Sequence, residues 1–286
     1  MLSNLLRTRS KLIVKRHRIS IAGGKIPPRG SPEYYDSAIH VVVNRDQTRA
    51  YVSDTEHGFY VVDIRDKSHP KLLTTLKNVK SRAFALSDDE RTLYFYDGVV
   101  HAWRIDQLEH HNTTTLNELS KIPVRSATHN MIMLHHGRYL IVPDKREILL
   151  YDTHQDKVLE RYAVDGHRWV GTITSDARDR LYVAMDGKGI EQLRISEDGR
   201  IIPVNTLDID TYFFDMVVLP TRHTLCYAAK EGTMCLDTRH TLDPKPKVIY
   251  RNEAEDQATA LARLPESTML YIAYHTPSIG RVEVAP

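Results

Sequence analysis

No acidic residue occurs before Glu33 in this 286-residue chain, although Arg7, Arg9, Lys11, Lys15, Arg16, Arg18, Lys25 and Arg29 all precede it. The imbalance is local, because the whole sequence carries a formal charge of only +2, too little for a global field that would gather nucleic acid. There are only two cysteines, Cys226 and Cys235, too few for a secreted disulfide framework or, by themselves, a four-ligand zinc site. That count suits a reducing, cytoplasmic setting, with the pair expected as buried free thiols flanking the hairpin "AAKEGT" rather than as a disulfide. No apolar run reaches the roughly 18 residues that a membrane span needs, and "MLSNLL" falls short of a secretory signal core. A nucleophile elbow and a G-x-x-x-x-G-K-[ST] phosphate loop are both missing; "MDGKGI" has the glycines but sits between strands, as a hairpin turn.

What the sequence does contain is a repeat. "AYVS" from Ala50, "LYFY" from Leu93, "LIVP" from Leu140, "LYVA" from Leu181, "LCYA" from Leu225 and "LYIA" from Leu270 follow one another at intervals of 43, 47, 41, 44 and 45 residues. Each copy is flanked by further β-rich runs across polar turns: around the first stand "AIHVVV", "FYVVDI" and "KLLTTL". Short β-branched and aromatic segments between turn clusters argue all-β. Units of about 44 residues with four strands each predict a β-propeller. The expected blades are residues 38–77, 80–125, 127–164, 168–208, 212–253 and 257–286, six in all, with seven as the alternative. "RIDQLEHHNTTTLNELS" reads as a loop with at most one helical turn.

The strand runs carry a resemblance. "GFYVVDIRDKSHPKLLTTL" resembles an LVIVD-type propeller repeat, and "REILLYDTHQDKVLERYAV" and "GIEQLRISEDGRI" are similar to the YVTN and lactonase-like class. These are blade motifs, so the resemblance implies a propeller and no activity; "TMCLDT" and "IGRVEV" depart from the signature.

The sixth repeat stops one strand short, after "ATALARL", "LYIAYH" and "IGRVEV". An unfinished sheet leaves an open edge, and "KLIVKRHRISIA" is β-rich enough to fill it, so residues 12–21 are expected as the closing strand behind a basic tail at 1–10. A mitochondrial presequence is the competing reading of that tail. Transit peptides are amphipathic helices, whereas this stretch is β-branched.

Strands alternate faces with period two, so the innermost strands should show one set of positions to the central channel. Aligned on the repeat, these are His40, Ala83, Asn130, Gly171, Asp215 and Ala260, followed two residues on by an apolar belt of Val42, Ala85, Ile132, Ile173, Val217 and Ala262. Between them Val41, Phe84, Met131, Thr172, Met216 and Leu261 are expected in the inter-blade core. His40, Asn130 and Asp215 could converge as metal ligands or as a general base with polar partners; a water-filled channel lined by polar side chains is the preferred reading. Arg82, His129 and Arg168 would add positive charge at the mouth and favour an anionic ligand. His110, His111, His135 and His136 lack zinc-site spacing and read as turn residues.

The sequence therefore favours a non-catalytic scaffold, monomeric and without a cofactor, that binds a protein partner through its loops. The long connection Asp106–Pro123 is the expected contact, and the basic N-terminus a second one for an acidic protein or, less favoured, nucleic acid. The alternative is a lactonase-like hydrolase holding a divalent metal or a water on His40, Asn130 and Asp215.

Overall fold

The computed structural model describes residues 38–54, 58–66, 69–77, 79, 81, 83–106, 118–125, 130–164, 166, 168–176, 178–219, 223–239, 247–252, 258–263, 269–274 and 279–284. Blade one is a meander of β1 (Ala38–Val43), β2 (Arg49–Asp54), β3 (Gly58–Asp63) and β4 (Lys71–Leu76). Blade two follows with β5 (Phe84–Leu86), β6 (Thr92–Tyr96), β7 (Val100–Arg104) and β8 (Glu118–Ile122). Blade three has β9 (Ile132–Leu134), β10 (Tyr139–Asp144), β11 (Glu147–Asp152) and β12 (Lys157–Ala163). Blade four comprises β13 (Val170–Ser175), β14 (Arg180–Met185), β15 (Gly189–Ile195) and β16 (Ile201–Asp208). Blade five comprises β17 (Phe213–Leu219), β18 (Thr224–Ala229), β19 (Gly232–Asp237) and β20 (Val248–Asn252). Blade six has three strands among the described residues, β21 (Ala258–Arg263), β22 (Met269–Tyr274) and β23 (Ile279–Glu283). The molecule is a six-bladed β-propeller.

The repeated tetrapeptide is the second strand of each blade, and its lack of polar alternation has a physical cause. A middle strand packs on neighbouring blades through both faces, so β10 and β18 are buried at every position. The outer strand β12 is partly or fully exposed throughout its length. Consecutive blades share apolar clusters, one spanning blades one to three and one each at the three-four, four-five and five-six seams. The face of blade one that looks toward blade six is different. Ala50, Tyr60 and Val62 form a small cluster of their own there, and Val41, expected in the inter-blade core, is 58% exposed. Phe84, Met131, Thr172 and Met216 are buried as expected, and Leu261 partly so.

The Asp of the Val-Asp-Ile signature closes the third strand. Asp63 accepts the Arg65 backbone N–H at 3.0 Å, Asp237 that of Arg239 at 2.9 Å, and Asp152 those of His154 and Gln155 at 2.9 and 3.0 Å. A carboxylate at that point satisfies the donors that the turn would otherwise strand.

Two expectations are corrected. Glu118–Ile122 pairs with β7 as the outer strand of blade two, so Asp106–Pro123 is not one long loop; residues 107–117 alone separate the helical turn at Ile105–Asp106 from that strand. Second, Cys226 and Cys235 are joined as a disulfide, both fully buried. The two-residue hairpin at Lys230–Glu231 pairs Ala229 with Gly232 and therefore sets Cys226 directly opposite Cys235, with Cα atoms 4.0 Å apart. Denatured, unreduced protein should accordingly show no thiol to a thiol-reactive dye. A Cys226→Ala/Cys235→Ala variant should lose about 3 kcal/mol in chemical denaturation, from the loop entropy restored to the unfolded chain.

The expected closing strand, residues 12–21, and the basic tail lie outside the described residues. Blade six with its three strands keeps the closing expectation open, and it has a direct test. Deleting residues 1–22 should lower the melting temperature by at least several degrees if that segment completes a sheet, and leave it unchanged if it is a detachable leader.

Candidate functional site

The first strand of each blade is the central one, since β5, β9, β13, β17 and β21 contact one another in succession, β13 and β17 most extensively. The pairing of these strands is irregular at one recurring place. Register shifts fall between Ala38 and His40, Val170 and Ile173, Phe213 and Asp215, and Ala258 and Ala260. A bulge re-aims the side chains beside it, and here it lies next to the positions expected to face the channel.

His40, Asn130 and Asp215 each reach sideways to the following blade. The His40 ring lies against Phe84 of blade two, centroids 4.6 Å apart. Asn130 grips blade four at both ends of its amide: Nδ2 donates to the Ile173 carbonyl at 2.5 Å, and Oδ1 accepts the Ile173 N–H at 3.2 Å and the Thr172 hydroxyl at 3.3 Å. Asp215 accepts the Leu261 N–H of blade six at 2.8 Å and its neighbour Met216 N–H at 2.8 Å. The three candidates thus occupy blades one, three and five and clasp blades two, four and six.

The small residues of the same ring answer them. A Cβ at Gly171 would stand 3.0 Å from Asp186 Oδ1 and 3.3 Å from the Phe213 carbonyl oxygen, so glycine there lets the inner strand of blade five come close. Ala83 is fully buried. In the apolar belt Ile173 and Ala85 are buried, Val42, Ile132 and Val217 partly so, and Ala262 exposed. Among the described residues no group of three or more His, Cys, Asp and Glu is gathered in a way that could hold a metal ion.

The Asp215 carboxyl has a displaced pKa. Burial pushes it from 3.8 up to about 6, against the opposing pull of the two backbone N–H groups. Because the folded value is raised, the contribution of Asp215 to stability is complete below about pH 3.8 and is lost as the pH rises through about 6.

Of the mouth residues, Arg168 is exposed, and Arg82 and His129 lie outside the described residues. His110 and His111 lie outside them too. His135 and His136 are turn residues with φ of 50° and 54°; His135 also contacts the Ile195 carbonyl at 3.1 Å and pairs with Asp179 at 3.8 Å, both in blade four.

Sequence reasoning missed the neighbours of Arg168. In a meander blade, the connections into the first strand and between the second and third strands share one face of the propeller, here called upper. On it Trp169 and Tyr212 precede the first strands of blades four and five, 46% and 61% exposed, beside Phe214 at 37%. The Arg146 guanidinium carbon lies 6.0 Å from the centre of the Trp169 ring. The backbone below them is fixed: Val170 N–H donates to the Lys145 carbonyl at 2.8 Å, Asp186 N–H to that of Trp169 at 3.2 Å and Gly187 N–H to that of Thr211 at 3.0 Å. "HRWVG" and "DTYFFD" were the available signals, aromatic pairs or singles just ahead of an inner strand.

Comparison with solved structures supports the fold. The β-propeller domain of Cps50 (Swd1) from Myceliophteria thermophila matches 87% of this chain and 96% of its own length, with a TM-score of 0.57 and 8% identical residues. No protein-family model and no curated protein matches the sequence. The likeness is one of architecture.

The clasp assigned to Asp215 can be checked by charge removal. Asparagine retains an oxygen for the Leu261 N–H, so Asp215→Asn should abolish the loss of stability between about pH 4 and 6, worth about 2 kcal/mol in the parent protein, as read by denaturation midpoints across that range. A pH dependence identical to the parent's would refute the assignment.

Proposed function

We propose that this propeller is a non-catalytic interaction scaffold that binds a protein partner through its loop faces. The observation that carries the reading is the upper face of blades three to five, where Trp169 and Tyr212 stand exposed beside Phe214, Arg146 and Arg168. Aromatic and arginine side chains dominate the binding energy of protein interfaces, and these rest on hydrogen-bonded backbone, which reduces the ordering cost of association. Propellers commonly serve as such platforms because their loops vary over a rigid frame. The LVIVD-like and YVTN-like strand signatures agree with a repeat scaffold of this kind. His40, Asn130 and Asp215 support it from below by holding adjacent inner strands together.

The sequence between Asp106 and Glu118 and the basic N-terminus are proposed as secondary contacts. Deleting residues 107–122, which would test the loop if it extended to Pro123, would also remove β8, so a loop test must stop at residue 117.

Quantitative affinity capture followed by mass spectrometry tests the main face. A Trp169→Ala/Tyr212→Ala variant should retain the parent melting temperature and lose about tenfold or more of its partner signal. Undiminished capture would place the interface elsewhere.

A further inference from the structure

The turns between first and second strands, and the connections after third strands, lie on the opposite, lower face. There neighbouring blades are stitched together by carboxylates and carbonyls that accept from the facing turn. Arg45 of blade one donates through its backbone N–H to Glu90 of blade two and through Nη2 to the Asp88 carbonyl at 3.2 Å. His135 of blade three pairs with Asp179 of blade four.

The seam between blades four and five breaks this pattern. Arg178 and Arg180, from the turn entering β14, face His223, Thr238 and Arg239 of blade five across a cavity of about 130 Å³. Two carboxylates lie behind these cations and hold them from one side. Asp176 takes Arg180 through Nε at 2.5 Å, and Asp237 engages Arg239 along its Nε and Nη2 edge. Both carboxylates are almost fully buried, with 6% and 8% side-chain exposure. Asp176 also accepts the backbone N–H groups of Arg178 and Arg180 at 2.9 and 3.0 Å, and Thr238 binds the His223 carbonyl through both its N–H and its hydroxyl at 2.7 Å. Arg180 and Arg239 are therefore held in place from behind, and the backbone of Arg178 is fixed, as an anion-binding site requires. The Arg178 guanidinium has no partner among the described residues.

We infer that this cavity binds a phosphomonoester group, either free or carried on a peptide side chain. Three guanidinium groups line the cavity and, among the described residues, no carboxylate does; Asp176 and Asp237 are engaged from behind by Arg180 and Arg239 and Asp179 of the same turn by His135, so the Arg178 guanidinium is left to the cavity, with His223 at the rim. Guanidinium forks match tetrahedral oxyanions bidentately, and the cavity has room for one such group. The site is separate from the aromatic upper face and does not rest on the scaffold reading.

Calorimetric titration with inorganic phosphate, at ionic strength held constant with chloride, tests it. Saturable binding should appear and should weaken about tenfold in Arg178→Gln and in Arg239→Gln, with no change in Arg104→Gln, whose arginine pairs with Asp106 in blade two. Because Arg178 is exposed, its variant should keep the parent melting temperature. Non-saturable uptake, or equal binding by Arg178→Gln, would overturn the inference. A phosphothreonine peptide binding at least about tenfold tighter than phosphate, with its unphosphorylated form silent, would identify the peptide-borne group; equal affinities would identify the free one. Arginine-dependent binding of an oligonucleotide without terminal phosphate, as tight as phosphate itself, would reassign the cavity to nucleic acid and refute the monoester.

Discussion

The packing of one blade's inner strand against the next is the constraint on which the structure depends. A four-stranded meander has two apolar faces and can bury neither alone. Its second strand, apolar on both sides, is stable only between neighbours. The bulges beside His40 and Asp215 turn polar groups toward the following blade, and Asn130 makes the same reach from blade three. With the inner strands held, the upper-face turns have fixed starting points, and Trp169 and Tyr212 stand on backbone that is already hydrogen-bonded. The charged lower-face turns are fixed in the same way, which is why like charges can be brought together between blades four and five.

The repeat made the blades legible. Tetrapeptides recurring at near-constant intervals located every second strand, and the three strands that blade six shows among the described residues were visible by counting. The contacts of the inner-strand polar residues were not legible, for a local reason. Period-two alternation assigns His40, Asn130 and Asp215 to one face, but it says nothing of a side chain's reach to the next blade, and nothing in "AIHVVV" or "FFDMVV" announces the bulges that precede His40 and Asp215. Glu118–Ile122 is hard to tell from a loop in sequence, because "ELSKI" is polar, which an outer strand with a solvent face tolerates.

The cysteine pair shows the opposite case, a contact the sequence did hold. Positions 226 and 235 are equidistant from the Lys230–Glu231 turn, and a two-residue hairpin leaves them no other register. Composition argued for free thiols, but local geometry decided. The basic cavity was illegible for a different reason: its arginines are ordinary turn residues in each blade, and only the juxtaposition of two seams of sequence, 176–180 and 223–239, gives them a common purpose.

The alternation of reaching and small residues around the ring gives the molecule a true repeat of two blades, although its sequence repeats every one. His40, Asn130 and Asp215 belong to odd blades, and Ala83, Gly171 and Ala260 to even ones. Each of the seams that His40, Asn130 and Asp215 bridge therefore joins one blade with a reaching side chain to one with a short residue at the matching position, so the ring is built of blade pairs.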